Sequence, residues 1–591
     1  MKVLLVAINS KYIHSNLAVY TLRAYAREYR QQIEIGEYTI NHPVEYILKE
    51  IYKKKPDLLL FSCYIWNLEY IRMLIPECAK VLPGVPIWVG GPEVSYDARA
   101  FLADCLGAAG VMVGEGEETF RQLLDFYTGQ LRELDRIPGL AYREADGVVK
   151  VVENSDFLEL DQIPFPYQEL TDFEHRIIYY ESSRGCPFRC SYCLSSIDKR
   201  VRFRSLELVR PELQFFMDHR VPQVKFVDRT FNCHHAHAME IWKYIGEHDN
   251  GVTNFHFEIS ADLLTEVELD LIREFRPGLI QLEIGVQSTN RDTIREIDRT
   301  MDLERLRSVV MEVHACGNIH QHLDLIAGLP FEDYDTFEKS FCQVYEMKPD
   351  QLQLGFLKVL KGSKMHRKAD EYGVVYTDQP PYEVLFTKWL SYRDVLKLKG
   401  IEDMVETYYN SGQFTYTMNR LVTEFENPFK CYEALALFYE DNGYFHLSHS
   451  RIRRYEILQE FIMEVALSPF FPDCLELKLQ PEIKSRQQYY RELLLYDLYL
   501  RENVKSRPRW AGDLTAYKGA FRAFYQKEEA DPRYLKAYRG YSYQQLGKMT
   551  HLEVFHFDVT GSCEPGEFFI LFDYKSRCPL TFAAASFKVE I

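Results

Sequence analysis

The sequence predicts an α/β protein: a doubly wound, Rossmann-like parallel sheet, then a second series of strand–helix units, then a mostly helical C-terminal part with a small antiparallel sheet. Three observations carry that reading. Short apolar runs alternate with helix-period segments over the first 370 residues, the pattern of parallel sheets with helical crossovers. From about Tyr372 the helical period continues almost alone. Three apolar-alternating runs separated by Gly, Pro and Ser turns then close the chain.

Composition bounds the rest. The 591 residues are 47% hydrophobic and 27% charged, enough apolar material for several cores, which excludes disorder and a small disulfide scaffold. Seventy Lys and Arg against 87 Asp and Glu leave a net charge of −17, so there is no global footprint for duplex nucleic acid or an anionic membrane. No apolar stretch reaches the roughly 18 residues of a membrane span, and MKVLLVAINS is too short an apolar run for a signal peptide. It reads as a first strand. Thirteen cysteines without a leader point to reduced thiols in a cytoplasm. Ten are scattered singly and read as small core residues; Cys186, Cys190 and Cys193 stand apart.

Residues 1–130 form the first module. Strands are expected at Lys2–Ile8, Ile33–Glu37, Leu58–Phe61, Ile87–Val89 and Val111–Val113, with helices such as Ser15–Arg30 and Val44–Lys55 between them. Ligands of such sheets sit beyond the carboxyl ends of the strands. Three loops there stand out: Ser62-Cys63-Tyr64-Ile65-Trp66-Asn67, Gly90-Gly91-Pro92-Glu93 and Gly114-Glu115-Gly116-Glu117. Glycine lets backbone approach a ligand, and helix N-termini offer free N–H donors. No G-x-G-x-x-G follows the first strand, which disfavours a dinucleotide.

These loops resemble the cobalamin-binding domain at the front of many radical S-adenosylmethionine (SAM) enzymes, with GGPE and GEGE as the matching segments. The D-x-H-x-x-G motif of the wider cobalamin-binding family is absent. The resemblance therefore implies base-off cobalamin with no His on cobalt. It implies corrin contacts from Ser62, Tyr64, Trp66 and Asn67, with Tyr64–Asn67 near the lower face. Further contacts follow from Gly90, Gly91, Pro92 and Glu93 and from Gly114, Glu115, Gly116 and Glu117. Of Cys63, Cys78 and Cys105 only Cys63 falls in a post-strand loop, so no second cluster is expected in this module.

Residues 131–175 read as a linker. Asp146-Gly147 between alternating runs predicts a hairpin over Leu140–Val152, and Leu160–Tyr167 is a proline-punctuated strap.

The sharpest motif follows. In Glu181-Ser-Ser-Arg-Gly-Cys186-Pro-Phe-Arg-Cys190-Ser-Tyr192-Cys193 three cysteines are spaced C-x3-C-x2-C. Three thiolates in one loop can bind three irons of a four-iron cluster. Structural zinc needs four closed ligands, and no fourth Cys or His stands at suitable spacing nearby. With the preceding apolar strand Ile177–Tyr180, the motif resembles the radical SAM superfamily. The resemblance implies a [4Fe-4S] cluster on Cys186, Cys190 and Cys193 whose open iron takes the amino and carboxylate groups of SAM.

Further strands are expected at Gln223–Val227, Phe255–Ser260, Leu279–Val286, Ile319–Ile326 and Gln351–Leu357. With Ile177–Tyr180 they make six, matching the superfamily's six-unit (β/α) partial TIM barrel over residues 176–370. Alternation assigns Glu258, Ser260 and Asp262 to one face, as it does Gln281, Glu283, Gly285 and Gln287, and also His320, His322 and Asp324. The resemblance implies SAM contacts from Tyr192, Asp228, Glu258, Ser260, Gln287, Ser288, Gly328 and Phe356. Asp228 stands where simpler relatives carry G-G-E. The pair His320/His322, with Asp324, can move protons near a substrate at neutral pH. The Cys233-His234-His235-x-His237 cluster reads as a capping turn at a helix start rather than a metal site.

Residues 371–591 are helical and rich in aromatic side chains, and their three- and four-residue spacing makes most of them core. Strands are expected at His551–Val559, Glu567–Tyr574 and Thr581–Glu590. The basic runs Arg451–Arg454 and Lys505–Arg509 read as solvated helix faces.

Residues 1–365 thus resemble the cobalamin-dependent radical SAM superfamily. The resemblance implies a cytoplasmic enzyme that generates a 5′-deoxyadenosyl radical and methylates an unactivated carbon. Its substrate would be a small molecule, peptide or RNA, and its electrons would come from a donor such as flavodoxin or ferredoxin. Cyclisation, ring rearrangement and RNA modification are alternatives on the same cofactors. A cobalamin or redox sensor is the non-enzymatic one; a barrel facing SAM argues against it.

Overall fold

A computed structural model of the chain describes residues 1–144, 146–154, 157–197, 200–466, 483–504 and 506–591. Cα packing divides it into two compact units. The first comprises 1–316, 326–333 and 355–392; the second comprises 317–325, 334–354 and 393–591.

The first unit opens with β1 (Val3–Asn9), β2 (Ile33–Thr39), β3 (Leu58–Ser62), β4 (Ile87–Gly90) and β5 (Gly110–Met112), joined by helices that include Leu17–Tyr25, Val44–Lys54, Leu68–Val81 and Glu117–Tyr127. The strand positions match those expected. All seven residues of β1 are buried, as a strand covered on both faces requires. The order is β2-β1-β3-β4-β5 and the pairs are parallel. The chain leaves β1 to one side and returns to β3 on the other, so the topological switch lies between these two strands. Register pairs Ala7 with Ser62, Ser62 with Gly90 and Gly90 with Met112, which brings the loops after β1, β3, β4 and β5 to one edge. Leu4, Val6, Phe61, Ile71, Leu74 and Val89 are fully or almost fully buried in the core on one side of this sheet. Cys63, Cys78 and Cys105 are buried in the same core.

The expected hairpin is β6 (Leu140–Arg143) and β7 (Val149–Val152). It pairs antiparallel with β5 and forms the edge of the first sheet.

Next come β8 (Ile178–Tyr180), the short antiparallel pair β9 (Ser183–Arg184) and β10 (Arg202–Phe203), then β11 (Gln223–Phe226), β12 (Asn254–Ile259), β13 (Ile280–Gln287), β14 (His320–Ala327) and β15 (Gln351–Phe356). Within the first unit β8, β11, β12 and β13 pair in parallel and follow chain order across the sheet, as in a (β/α) barrel; most of β14 and β15 belongs to the second unit. On β13 the alternation is strict. Ile280, Leu282, Ile284 and Val286 are buried, and Gln281, Glu283, Gly285 and Gln287 are half-buried. β16 (Val375–Tyr376) and β17 (Val384–Phe386) form a small hairpin that ends this unit.

The second unit is mainly helical beyond Arg393, with helices including Pro428–Asp441, Arg451–Phe461, Ile483–Arg501 and Lys518–Ala530. β18 (Thr550–Phe557), β19 (Pro565–Arg577) and β20 (Ala584–Val589) form the terminal antiparallel sheet. Its aromatic residues are largely core: Tyr408, Tyr432, Tyr455, Tyr490, Tyr496 and Tyr499 are all buried. The basic runs are partly consumed by carboxylates. Arg453 Nη1 lies 2.6 Å from Glu460, and Arg451 and Arg507 pair with Glu502 and Glu553. Lys505 lies outside the described residues. Among the described residues no helix is long and apolar enough to cross a membrane.

Candidate functional site

The cysteine loop starts where β8 ends and is fixed at both shoulders. At its start, the buried Asp228 carboxylate beyond β11 accepts the Ser182 amide at 2.9 Å and the Ser182 and Ser183 hydroxyls at 2.6 Å each. Ser182 Oγ in turn stands 3.2 Å from His237 Nε2. Gly185 has φ +100, and a Cβ there would run into the Arg200 carbonyl, so only glycine lets the loop cross β10's approach. At its far end the Ser191 amide donates to Ile297 O (2.8 Å) and Ser191 O accepts from the Met365 amide (2.7 Å). Cys186 and Cys190 are buried and Cys193 half-buried, and all three thiols are free. Cys186 Sγ lies 3.7 Å from Thr230 Oγ1, and Cys190 Sγ lies 3.8 Å from Arg299 Nη1. Arg299 also reaches the Tyr192 hydroxyl (3.4 Å) and the Gly285 carbonyl. Burial pushes the Cys186 thiol up.

Burial raises Asp228 to about 6, against the pull of its serine hydrogen bonds. Its sign is therefore the reverse of a salt-bridged aspartate. The folded chain holds this proton more tightly than the unfolded chain, so Asp228 favours folding below about pH 4 and that contribution is lost as pH rises to about 6. The shift corresponds to roughly 2–3 kcal/mol. Asp228→Asn is expected to flatten stability between pH 4 and 6, read by urea denaturation of the metal-free chain. An unchanged pH slope would contradict the assignment.

The remaining predicted SAM residues gather at the carboxyl ends of adjoining strands. On β12, Glu258 is half-buried, and Ser260 donates its hydroxyl to Asp262 at 2.7 Å while Asn232 brackets its backbone. At the end of β13, Gln287 has φ +71 and a buried Oε1 with no hydrogen-bond partner. A strained residue with an orphaned acceptor at a strand end is a candidate ligand-facing position. Ser288 is fully buried and gives its hydroxyl to Glu332 at 2.6 Å. Gly328 takes φ +90 in a turn where a Cβ would meet Val384, and Phe356 is buried at the end of β15.

Below this layer lies a charged row that strand parity only partly revealed. Glu283 Oε2 is 2.9 Å from Lys225 Nζ and 2.8 Å from His256 Nε2. Burial pushes the Glu283 carboxyl up, but His256 and Lys225 outweigh it and hold it well below the usual carboxylate range. Tyr179, on β8, bonds His14 Nδ1 at 2.7 Å from the loop after β1. In the second unit His322 Nε2 stands 2.9 Å from Asp324 Oδ1, and burial lowers the neighbouring His320. Of the Cys233–His237 cluster, His234 Nδ1 accepts the His237 amide at 3.2 Å, the capping role expected.

The loops of the first sheet are equally constrained. Tyr64 and Trp66 stack 4.5 Å apart at 8°, with Trp66 Nε1 on Ile8 O (3.0 Å) and 40% of the residue exposed. Asn67 is fully buried and staples the loop: its Nδ2 reaches Ile8 O and Ser62 O at 2.9 Å each and its Oδ1 accepts the Tyr64 amide at 2.8 Å. Gly91 (φ +114), before Pro92, packs on the Cys63 backbone so closely that no Cβ fits, and follows the last residue of β4, Gly90. Glu93 is buried and accepts the Tyr382 hydroxyl at 3.0 Å, and burial raises its carboxyl. Gly114 (φ +81) borders open space, its amide on Ser95 Oγ at 3.2 Å.

Glu115 and Glu117, flanking Gly116, engage arginines. Arg184, two residues before Cys186, pairs with Glu117 at 2.8 Å, Glu181 at 2.7 Å and Glu115 at 3.4 Å. Arg202 Nη1 meets Glu115 Oε2 at 3.0 Å. Burial opposes the charges at Arg184 and Glu115, yet the carboxylates hold Arg184 well above its ordinary value and the arginines hold Glu115 below its own. This clasp ties the post-β5 loop of the first sheet to the cysteine loop. Arg184, Arg202, Arg299, Lys225 and His256 escaped the sequence reading. Arg184 alone carried a local signal, its place beside Gly185-Cys186.

Three family models match. Residues 3–124 match the B12 binding domain, residues 180–342 the radical SAM superfamily, and residues 370–572 a family described as protein of unknown function (DUF4080). The chain is 26% identical over 356 residues to the cobalamin-dependent radical SAM methyltransferase TokK of Streptomyces tokunonensis, covering 55% of this chain and 51% of TokK. It therefore spans about half of that relative's length. It is 30% identical over 363 residues to the uncharacterized methyltransferase PH0819 of Pyrococcus horikoshii, covering 60% of this chain and 76% of that protein. The fold is similar to that of the cobalamin-dependent S-adenosylmethionine radical enzyme OxsB with a TM-score of 0.57 at 16% identity, over 84% of this chain and 79% of OxsB.

Proposed function

Because the chain belongs to the cobalamin-dependent radical SAM superfamily, we propose that it is a methyltransferase acting on an unactivated carbon of a small polar molecule. The observation that carries this reading is the clasp: within one compact unit, Arg184 binds the post-β5 loop to the loop bearing the three free thiols. The residues fit the groups required. Cys186, Cys190 and Cys193 offer three thiolates in one loop, the orphaned Gln287 Oε1 awaits a donor, and Gly114 on the post-β5 loop borders open space. When bound, the cluster with SAM supplies a 5′-deoxyadenosyl radical and cobalamin supplies the methyl group.

The chain's own residues do the rest. Asp228, Ser182 and Ser183 fix the entry of the cysteine loop. Arg299 lays a positive charge beside Cys190, which favours the negative charge a cluster brings. Lys225, His256 and Glu283 give the barrel face a charged, hydrogen-bonding floor, which selects a polar substrate over a lipid. Arg451, Arg453 and Arg507 are paired with carboxylates, which argues against RNA. A one-electron donor such as a flavodoxin or ferredoxin completes the system, in a cytoplasm that keeps the thiols reduced.

The test is anaerobic reconstitution with iron, sulfide, cobalamin, SAM and dithionite, followed by mass spectrometry. Formation of both 5′-deoxyadenosine and S-adenosylhomocysteine is expected. Absence of 5′-deoxyadenosine from cluster-loaded chain overturns the radical reading, and failure to retain cobalamin overturns the methyl carrier.

A further inference from the structure

One cavity of the first unit is lined by none of the residues predicted to hold the cofactors. It measures about 790 Å3, within the roughly 300–1,000 Å3 usual for small-molecule sites, and runs along β2, the edge strand of the first sheet. Helix Leu17–Tyr25, the turn Arg27–Gln32 and the segment around Asp172 and Arg176 wall it in. In a chain of net charge −17 its lining is unusual, because Arg23, Arg30 and Arg176 converge on it.

The accounting of partners singles out two of these arginines. Glu37 is already satisfied. It accepts from Asn9 at 2.9 Å, from the Asn16 amide at 3.1 Å, from the Tyr20 hydroxyl at 2.6 Å and from Arg176. Arg176 therefore belongs to the wall. Arg23 lies over the Tyr20 ring, 5.5 Å from its centre, and its buried Nε has no acceptor. Among the described residues neither Arg23 nor Arg30 forms an ion pair or a side-chain hydrogen bond, and Asp172 stays outside ion-pair distance. Burial and the repulsion of Arg30 pull Arg23 below its ordinary value, against the weaker attraction of Tyr20, Asp172 and Glu37.

A guanidinium offers five donors in a planar fork that matches an oxyanion, and two such forks facing one cavity match an anion of more than one charge. We propose that this cavity binds a small, multiply charged oxyanion, phosphoryl or carboxylate, held by Arg23 and Arg30. The site is separate from the cofactor positions. It flanks β2, whereas the cofactor loops follow β3, β4, β5 and β8.

Titration calorimetry of the full chain at physiological salt, with inorganic pyrophosphate in one arm and succinate in the other, tests it. Saturable one-to-one binding is expected in at least one arm, and the arm identifies the head group. Arg23→Gln and Arg30→Gln should each weaken it by about tenfold or more. Both should leave circular dichroism and cobalamin retention unchanged. Arg23→Lys keeps the charge without the fork and should give a smaller loss, which covers the case of a misfolded Arg23→Gln. No saturation in either arm at millimolar ligand, or full affinity in both glutamine variants, overturns the proposal.

Discussion

Cys190→Ala is expected to reduce 5′-deoxyadenosine formation to background while cobalamin binding persists. Cys190 sits at the centre of the C-x3-C-x2-C loop, its carbonyl accepting the Cys193 amide at 3.1 Å and its sulfur 3.8 Å from Arg299. The loop's ends are held elsewhere, by Asp228 at one side and by Ile297 and Met365 at the other, so deleting one sulfur leaves the backbone anchors intact. What it removes is one of three cluster bonds, and it leaves Arg299 beside an apolar methyl group. With no fourth protein thiolate in the loop, two ligands cannot hold a four-iron cluster against loss of iron. The loops predicted to take cobalamin follow β3, β4 and β5 and make none of these contacts with Cys190. The measurement is iron and sulfide content, the electron paramagnetic resonance signal of the reduced cluster, and 5′-deoxyadenosine by mass spectrometry, with cobalamin absorbance as the internal control. A Cys190→Ala chain that keeps its cluster signal and cleaves SAM would remove the ligand assignment.

The strands were legible because parallel strands covered on both faces read as uninterrupted apolar runs. β1, at VLLVAIN, is the clearest case, and every residue of it is buried. Strict alternation told the faces of β13 apart before any coordinates, and the three-thiol loop was legible from spacing alone. What local pattern cannot show is which charge meets which. Glu115 and Glu117 were expected at the corrin; in the fold their carboxylates engage Arg202 and Arg184, 87 and 67 residues away. Asp228 was expected at SAM, and its carboxylate holds the Ser182–Ser183 turn, 46 and 45 residues back. The hairpin with Asp146-Gly147 was legible as a hairpin, but its pairing with β5 depends on an edge that only the assembled sheet offers. Each of these contacts joins segments far apart in the chain, where spacing and periodicity carry no information.

Arg184→Met is expected to weaken both cofactor sites at once, although Arg184 carries no iron ligand of its own. Its guanidinium is shared among Glu117, Glu181 and Glu115, and Glu117 is buried. Removing the cation leaves Glu117 and Glu181 without that partner, and breaking a buried pair from one side costs about 3–5 kcal/mol. Glu115 keeps Arg202, so the damage falls on the Glu117 side of the post-β5 loop and, two residues on, at Cys186. Loss of such supporting contacts typically costs about 10- to 100-fold in metal affinity, and a fall of that order is expected in cluster loading. Cobalamin affinity should fall with it, because Gly116 and Glu117 begin helix Glu117–Tyr127 and Arg184 fixes that turn. The double variant Arg184→Met with Glu117→Gln removes the stranded charge and should recover part of the stability lost in the single variant, without restoring either affinity. The two sites must be read separately: cobalamin by absorbance titration on cluster-free chain, iron content on cobalamin-free chain, and stability by urea denaturation of both. If Arg184→Met lowers iron content and stability but leaves cobalamin affinity at the parental value, the clasp holds the cysteine loop alone, and the coupling between the two cofactor sites is lost as an explanation.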